Sequence, residues 1–506
     1  MSKGEADTPN QHKISMAVHQ NGTSTDNNDD HASSSTDNND DHASSSTDNN
    51  DDHASSSTDN NNLYMTSASN VDGLNAGAKF VLESKGNWWH AGYHLSVSMA
   101  GPTLLSLPFA LDGLGWVPGF LALTIATAVS FYAYTLISKV LEQAELEGHR
   151  FLRFRDVAGY FLGRRWGYYP IGAIQIALCI AAAVVCVLLG GESMQIIYQI
   201  YKPNGSMQLY EFIIIFGIVM LLLSQLPSFH SLRHINLASL VFCLGFSLCV
   251  VGGSIYVGHS KQAPAKSYSV EGSSVSKMFT IFNSLAIIIL NFGIGIIPEI
   301  QATLAPPVSG KMFKGLLICY AVVISTFFSV AGAGYWAFGN ASASNILTNF
   351  APSGGVALIP NWLLFLTNIF VIADLFAVAL VYSQPTFEIF EGRLSSVKSG
   401  KLSMRNVLPR FIIRSLYVSF ATVIAAAFPF FGDIQAIIGA FALTPLDFIL
   451  PFLLYNVTFK PSVWTIKFWL NYVIIVVFTI VGLMGCVSAV RQIVLDVSSY
   501  KLFANV

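Results

Sequence analysis

The sequence predicts an all-α polytopic membrane protein with eleven transmembrane helices, of which the first and the sixth are broken. Three observations support this prediction. Of the 506 residues, 53% are hydrophobic and only 11% are charged, whereas soluble domains carry about 25% charged residues. Apolar segments of roughly 20 residues, the length that spans a bilayer, follow one another along the chain. Glycine and proline interrupt two of these segments near their centres.

The N-terminal part differs in composition from the rest of the chain. An eleven-residue unit, STDNNDDHASS, starts at Ser24, Ser35 and Ser46. This unit has no large apolar residue, so stacked copies would bury no core. We therefore predict a disordered acidic tail, rich in Ser, Asp, Asn and His, at 1–75, and an eleven-span membrane domain at 76–506.

The apolar segments begin directly after the tail, and the fourth is the shortest of them. Most Lys and Arg residues of the loops fall on the side of the tail if every segment crosses the membrane. The positive-inside rule then places the N-terminus in the cytoplasm, and an odd number of spans places the C-terminus outside the cell. The predicted spans are 88–112, 116–140, 168–198, 210–226, 235–257, 278–304, 315–338, 357–382, 410–430, 434–455 and 465–489.

The first span contains the stretch MAGPTLLSLPF at 99–109. Pro102 has no backbone N–H and clashes with the preceding turn, and Gly101 adds backbone entropy, so the helix is predicted to break here. Water cannot satisfy the freed backbone groups inside a bilayer. Such a break is therefore tolerated where it lies inside the protein or lines a cavity.

The sixth span, LNFGIGIIPEIQATL at 290–304, is interrupted by Gly293, Gly295 and Pro298. Spans one and six correspond if spans one to five and six to ten form two repeats. Paired interruptions at corresponding positions indicate a five-plus-five inverted-repeat transporter fold. The alternative is two ordinary kinks, because Gly and Pro are common in membrane helices.

The breaks suggest where a zwitterion would bind. N-termini of half-helices favour a carboxylate, and freed carbonyls favour a cation or an ammonium group. For the carboxylate we expect backbone groups, together with the Thr103 hydroxyl, from Ala100, Gly101, Pro102 and Thr103. For the amine we expect carbonyls near Asn291, Phe292, Gly293 and Gly295. The Phe292 ring is expected to cap the aliphatic part of a ligand, or else to be an ordinary packed aromatic.

Among the acidic residues inside predicted spans, we single out Glu299, Asp374 and Asp447. A charge at the bilayer centre costs about 2.5–3.5 kcal/mol, so such a residue usually faces a cavity. We take all three as candidates for carrying a coupled proton. Asp374 has a second possible role, which is pairing with the ω-amine of a substrate. The alternative for each is a structural hydrogen bond to a neighbouring helix.

Several stretches resemble the amino acid/auxin permease family, and three further ones resemble the plant GABA transporters within it. The family motifs are GPTLLSLPFALDGLGW (101–116), FRDVAGYFLG (154–163), IPEIQATL (297–304), GYWAFG (334–339) and FPFFGDIQAIIGAFALTPLDFILP (428–451). The narrower resemblance rests on NWWHAGYHL (87–95), LPSFHSLRHIN (226–236) and SYKLFANV (499–506).

This resemblance implies proton-coupled symport of amino acids, with H⁺ as coupling ion and no cofactor, across the plasma membrane or alternatively the vacuolar membrane. GABA is the substrate that it favours. The alternatives are proline and other neutral amino acids, or an amino-acid sensor with little transport. Ile294 departs from the pattern, because a polar residue is typical of GABA-type members at this position.

Other function classes find less support in the residues. All six cysteines lie in apolar stretches without paired spacing, so neither a disulfide framework nor a metal site is expected. The sequence shows no cluster of His, Asp and Glu near one interface, as a membrane enzyme would need. It also contains no phosphate-binding loop that would indicate ATP hydrolysis. A channel, in which flux would simply follow the gradient, stays open. The expected partners are a small zwitterionic amino acid and the lipid bilayer, without nucleic acid.

Overall fold

A computed structural model describes residues 86–225, 232–261, 265–270, 272–351, 357–394 and 403–497. The predicted tail at 1–75, the stretch SYKLFANV and the first six residues (226–231) of LPSFHSLRHIN lie outside the described residues. Within them the regular structure is helical, and an isolated parallel bridge joins Gly86 to Leu304.

Sixteen α-helices follow one another along the described chain. They are α1 (Trp88–Met99), α2 (Leu107–Leu114), α3 (Trp116–Leu146), α4 (Phe154–Gly163), α5 (Tyr169–Tyr201), α6 (Leu209–Ser224), α7 (Leu232–His259), α8 (Ser274–Phe292), α9 (Ile297–Ala302), α10 (Lys311–Phe338), α11 (Ile346–Phe350), α12 (Asn361–Leu394), α13 (Met404–Ala427), α14 (Phe431–Ile437), α15 (Leu450–Phe459) and α16 (Ile466–Val497). Short 3₁₀ turns cover Pro102–Ser106 and Gly339–Ala341, and π-helical segments cover Arg164–Tyr168 and Ile438–Ile449.

The all-helical membrane architecture is confirmed. Among the described residues, ten helices are long and apolar enough to cross a membrane. The predicted fourth span forms α6, an apolar helix of 16 residues that is shorter than a usual span. The third span is longer than predicted, because α4, a π-helical segment and α5 form one helical run of 48 residues, Phe154–Tyr201. The count of eleven and the inverted repeat remain predictions.

The first predicted break lies between α1 and α2. Helix α1 ends at Met99, and Ala100 and Gly101 leave the helical conformation before the 3₁₀ turn begins at Pro102. The carbonyl of Ser98 would normally accept from the N–H four residues later, which Pro102 lacks. The proline therefore leaves a carbonyl inside the protein that needs another donor.

The second predicted break lies between α8 and α9, over residues 293–296. Gly295 has φ +67°, in the left-handed region that favours glycine. A Cβ on Gly295 would also lie 2.2 Å from Leu178 Cδ2. Both the conformation and the close packing therefore require glycine at this position.

The broken helices lie at the centre of the helical bundle. In their most apolar stretches, 83% of the first broken helix and 72% of the second are buried, compared with 33% of α16. Helix α1 packs against α10 and α7, and the π-helical segment Ile438–Ile449 packs against α8 and α16. Backbone groups freed at the breaks are thus surrounded by protein rather than by lipid.

Candidate binding site at the two breaks

A cavity of about 50 Å³ lies between the two broken helices. One water molecule needs roughly 10–15 Å³ in this measure, so the cavity has room for only a few small groups. Helices α5 and α12 and the π-helical segment complete its wall. The lining residues are Ser98, Met99, Gly101, Pro102, Thr103, Leu178, Ala182, Val185, Cys186, Leu189, Leu290, Gly293, Leu375, Val378, Tyr382, Ile438 and Leu443.

Four of the eight residues expected to bind a zwitterion line this cavity: Gly101, Pro102 and Thr103 from the first break, and Gly293 from the second. The structure therefore brings the two breaks together, although 190 residues of sequence separate them. None of the described residues lining the cavity carries a charged side chain. A ligand there would meet an apolar wall, a few hydroxyl and thiol groups, and backbone.

The other four candidates adjoin the cavity without lining it. The carbonyl of Ala100 accepts from Cys243 Sγ at 2.7 Å. Asn291 Nδ2 donates to the carbonyl of Ile287 at 2.9 Å. The Phe292 ring packs edge-to-face on Phe327 with the centroids 5.1 Å apart, which is the packed-aromatic alternative. Gly295 contacts Leu178, whose side chain stands between it and the cavity.

Tyr382 joins the two breaks and also lines the cavity. Its hydroxyl lies 2.8 Å from the carbonyl oxygen of Ser98 and 3.1 Å from that of Ile294. The first of these carbonyls is the one that Pro102 leaves without a helical donor. The single hydrogen of this α12 hydroxyl is therefore shared between an acceptor created by each break, and it ties the two broken helices to a third helix.

Three side chains form hydrogen bonds with the backbone of the second break. Asp447 Oδ2 accepts from the N–H groups of Ile294 and Gly295, both at 2.8 Å. The Tyr134 hydroxyl accepts from the N–H of Ile294 at 2.9 Å and donates to the carbonyl of Phe292 at 2.8 Å. Gln175 Nε2 donates to the carbonyl of Gly295 at 3.3 Å. The carbonyls of Phe292 and Gly295 thus already have partners within the protein.

Glu299 and Asp374 are also buried in the bundle, at 4% and 0% exposure. Glu299 Oε1 accepts from Gln175 Nε2 at 2.5 Å and from the N–H of Phe154 at 3.1 Å. Asp374 Oδ1 accepts from the Ser239 hydroxyl on α7, and the next residue, Leu375, lines the cavity. In each of the three candidate carboxylates one oxygen is hydrogen-bonded, while Glu299 Oε2, Asp374 Oδ2 and Asp447 Oδ1 have no hydrogen-bond partner.

Sequence reasoning missed Tyr382, Tyr134 and Gln175. Each is a polar residue within a predicted span, and its partners lie more than 80 residues away in the chain. The only signal in the sequence was the pair of predicted breaks, because an unwound segment inside a membrane protein requires hydrogen-bond donors and acceptors from other helices.

The two ends of the bundle differ. At the end where α1 begins, Gly86 N donates to the carbonyl of Thr303 at 2.9 Å, and Arg150 donates to the carbonyl of Leu304 at 2.5 Å. A buried ion pair there joins Arg153 to Glu388 at 2.6 Å. At the opposite end, a cavity of about 610 Å³ opens beside the end of α2 and the start of α8, among residues that include Asp112, Glu192, Gln195, Asn283, Asn345 and Asp433.

The chain is similar in sequence to known transporters. A family model described as transmembrane amino acid transporter protein matches residues 84–495. GABA transporter 1 of Arabidopsis thaliana is 49% identical over 86% of this chain and 96% of its own. Lysine histidine transporter-like 6 of the same plant is 30% identical over 87% of this chain and 98% of its own. Among solved structures, a nucleobase-cation-symport-1 family transporter in a closed conformation with bromovinylhydantoin bound shares 14% identity at a TM-score of 0.49, covering 84% of this chain and 96% of that chain.

Proposed function

The chain belongs to the transmembrane amino acid transporter family, and we propose that it is a proton-coupled symporter that takes up GABA and related small neutral amino acids. That it is a multi-pass membrane protein, an amino acid transporter and not an enzyme follows from the family and its ten apolar helices. The coupling ion, the substrate and the membrane are the proposal.

The observation that supports a small substrate is the cavity between the breaks. Its volume of about 50 Å³ and uncharged wall suit a short zwitterion whose middle is aliphatic. We assign the carboxylate to the backbone of Gly101 and Thr103 and to the Thr103 hydroxyl, since the first N–H groups of a helical turn lack internal acceptors. The ammonium group then points toward the side of Gly293, between the breaks.

A substrate with a third charge fits this wall poorly. Placing the ammonium of a lysine side chain against apolar residues without a partner would cost several kcal/mol. The free oxygen of Asp374 lies behind the wall, one residue from Leu375, and is the nearest candidate to receive an ω-amine. We therefore favour GABA and small neutral amino acids such as proline over lysine and histidine, as the name of the 49% identical relative also suggests.

The proposed proton coupling is supported by three buried carboxylates in which only one of the two oxygens is hydrogen-bonded. Glu299, Asp374 and Asp447 each keep one buried oxygen without a partner, so each offers a free oxygen at which a proton can bind. Inward movement of one positive charge gains about 2.3 kcal/mol per 100 mV of membrane potential, in addition to the pH gradient. We further propose the plasma membrane as the site of action, with the N-terminus in the cytoplasm and the C-terminus outside.

Alternating access around the breaks follows from this proposal. The large polar cavity at one end would admit substrate from outside, while the ion pair and backbone contacts at the other end keep the route to the cytoplasm closed. Transport then requires that the contacts of Gly86, Arg150 and Arg153 open after the substrate is enclosed.

The test is uptake of labelled GABA into cells that express the protein, at external pH 5 and pH 7.5, with and without a protonophore. We expect faster uptake at pH 5, accumulation against a gradient, and loss of accumulation with the protonophore. Proline should compete and lysine should not. Accumulation of proline but not of GABA would overturn the substrate assignment, and binding without accumulation would favour the sensor.

A further inference from the structure

Asp447 differs from the other two buried carboxylates in what it holds. Glu299 and Asp374 contact residues outside the breaks, on α4, α5 and α7. Asp447 accepts the N–H groups of Ile294 and Gly295, which are the two successive donors of the unwound segment between α8 and α9. The conformation of the second break therefore depends on this carboxylate, together with the Tyr134 hydroxyl that shares the N–H of Ile294.

The surroundings of Asp447 contain no competing charge. The titratable groups that face it are the hydroxyls of Tyr134 from α3, Tyr320 from α10 and Tyr382 from α12. Among the described residues, α5, α8, α14, α15 and α16, which also pack around this segment, place no Lys, Arg, His, Asp or Glu in hydrogen-bond or ion-pair contact with Asp447, and Asp433 of α14 is not among the groups that act on it. Its negative charge is compensated only by backbone N–H groups and hydroxyls.

Asp447 lies next to the wall of the cavity. Leu443, four residues earlier in the same π-helical segment, lines the cavity, and so does Gly293, the residue before Ile294. A change in the position of residues 294–295 therefore changes the cavity itself. Hydrogen bonds to a charged acceptor are roughly twice as strong as those to a neutral one, so the charge on Asp447 sets how firmly this backbone is held.

We propose that Asp447 is a proton-operated clasp: ionised, it fixes the second break through the N–H groups of Ile294 and Gly295, and protonated, it releases the break so that the cavity can change shape. The proton comes from water on the side of the large cavity and forms an O–H bond at Oδ1, the oxygen without a partner. Its loss to water on the opposite side restores the carboxylate and the two hydrogen bonds. Asp447 acts through the backbone and is a positioning residue. The inference rests on the proposed proton coupling.

The variant that tests the clasp is Asp447→Asn. Its amide oxygen can still accept the two N–H groups, while its NH₂ takes the place of the protonated oxygen and cannot titrate. Purified protein in proteoliposomes is assayed for counterflow, which needs no net proton movement, and for uptake driven by a pH gradient. We expect counterflow within about threefold of the unmodified protein, and gradient-driven accumulation lowered at least about tenfold.

The matched control is Glu142→Gln. Glu142 also accepts a backbone N–H, that of Gly310 at 2.9 Å, but far from the breaks, and both activities should be unchanged. If the unmodified protein accumulates an amino acid with a pH gradient and Asp447→Asn does so equally well, the clasp is overturned and the proposed function stands. If the unmodified protein itself ignores the pH gradient, the proposed function fails first.

A second measurement needs no variant and so does not depend on how Asp447→Asn folds. Hydrogen exchange of the amides of Ile294 and Gly295 is followed in the unmodified protein at pH 5.5 and pH 7.5, corrected for the intrinsic exchange rate. The clasp predicts that their protection falls at the acidic pH, while that of the Gly310 amide does not. Equal protection of residues 294–295 at both pH values would contradict it.

Discussion

The two broken helices have the same cause and different surroundings. At the first break the protein supplies hydrogen-bond donors for carbonyls, from Tyr382 to Ser98 and from Cys243 to Ala100, and the backbone of Gly101 and Thr103 faces the cavity. At the second break side chains accept the N–H groups and donate to the carbonyls, so that the unwound segment is held almost entirely by protein.

This difference indicates a division of roles. A segment whose polar groups face a cavity is suited to binding a ligand, while a segment fixed by a carboxylate and two hydroxyls is suited to being moved by a change in that carboxylate. An unsatisfied buried donor or acceptor costs about 1–3 kcal/mol. The second break therefore keeps its unwound conformation only while these side chains hydrogen-bond its backbone groups. We therefore propose that the first break serves binding and that the second serves the conformational step.

The largest effect is expected at Gly295. Replacement by alanine in Gly295→Ala puts a side chain into the left-handed region, at a cost of roughly 1–2 kcal/mol, and its Cβ would push Leu178 toward the cavity. We expect uptake per molecule at the cell surface to fall at least about tenfold. Uptake of labelled substrate, normalised to surface protein, measures this.

Gly310→Ala is the control for Gly295→Ala. Gly310 has nearly the same φ, +69°, and nothing lies within 4 Å of a Cβ placed there. It should lose some thermal stability and little uptake. Equal losses of uptake in the two variants would show that backbone strain alone, rather than the second break, is responsible.

The next effect concerns the hydroxyl that joins the breaks. Tyr382→Phe removes the one hydrogen that the carbonyls of Ser98 and Ile294 share, and losing this donor to buried acceptors costs about 1–3 kcal/mol. We expect a lower thermal midpoint and a transport rate per folded molecule reduced about tenfold. Thermal unfolding and uptake by the same purified sample give both numbers.

Tyr417→Phe separates the two consequences of losing a buried hydroxyl. The Tyr417 hydroxyl donates to the carbonyl of Cys179 at 2.6 Å, and not to a carbonyl of either break. This variant should lose stability and keep its transport rate per folded molecule. A similar loss of rate would mean that the position of Tyr382 between the breaks has no special importance.

The smallest effect is expected at the first break. Thr103→Val keeps the shape of the side chain and removes one hydroxyl from the cavity wall, so the KM should rise about two- to tenfold with kcat little changed, as one hydrogen bond is worth about 0.5–1.5 kcal/mol. Thr135→Val, whose hydroxyl bonds only to the carbonyl of Phe131 at 2.9 Å, is the control. A changed kcat with constant KM would contradict a binding role for Thr103.

The sequence allowed the positions of both breaks to be predicted, because Gly and Pro act on the backbone locally. It also placed Gly101, Pro102, Thr103 and Gly293 in one predicted binding site, because the ends and freed carbonyls of broken helices suit the two ends of a zwitterion. These predictions depend on Gly and Pro, which disrupt a helix at their own positions. They also depend on the rule that freed backbone groups inside a membrane protein need polar partners.

What could not be predicted are the partners that satisfy each break. Tyr134, Gln175 and Tyr382 carry no local signal, since a polar residue in an apolar helix indicates neither its direction nor its contact. Asp447 was found by its charge, but its two backbone contacts with Ile294 and Gly295 depend on how the π-helical segment lies against α8. Such contacts between distant residues follow only from the packed structure.

The most direct test of this division of roles between the two breaks is a cryo-EM map of the protein bound to the amino acid that it accumulates. If the first break binds the substrate, ligand density lies in the cavity between the breaks, with the carboxylate of the ligand at Gly101 and Thr103. The contacts of Asp447 to the second break are intact while Asp447 is ionised. Density confined to the larger cavity beside Glu192, or a carboxylate bound by the N–H groups of Ile294 and Gly295 in place of Asp447, would contradict it.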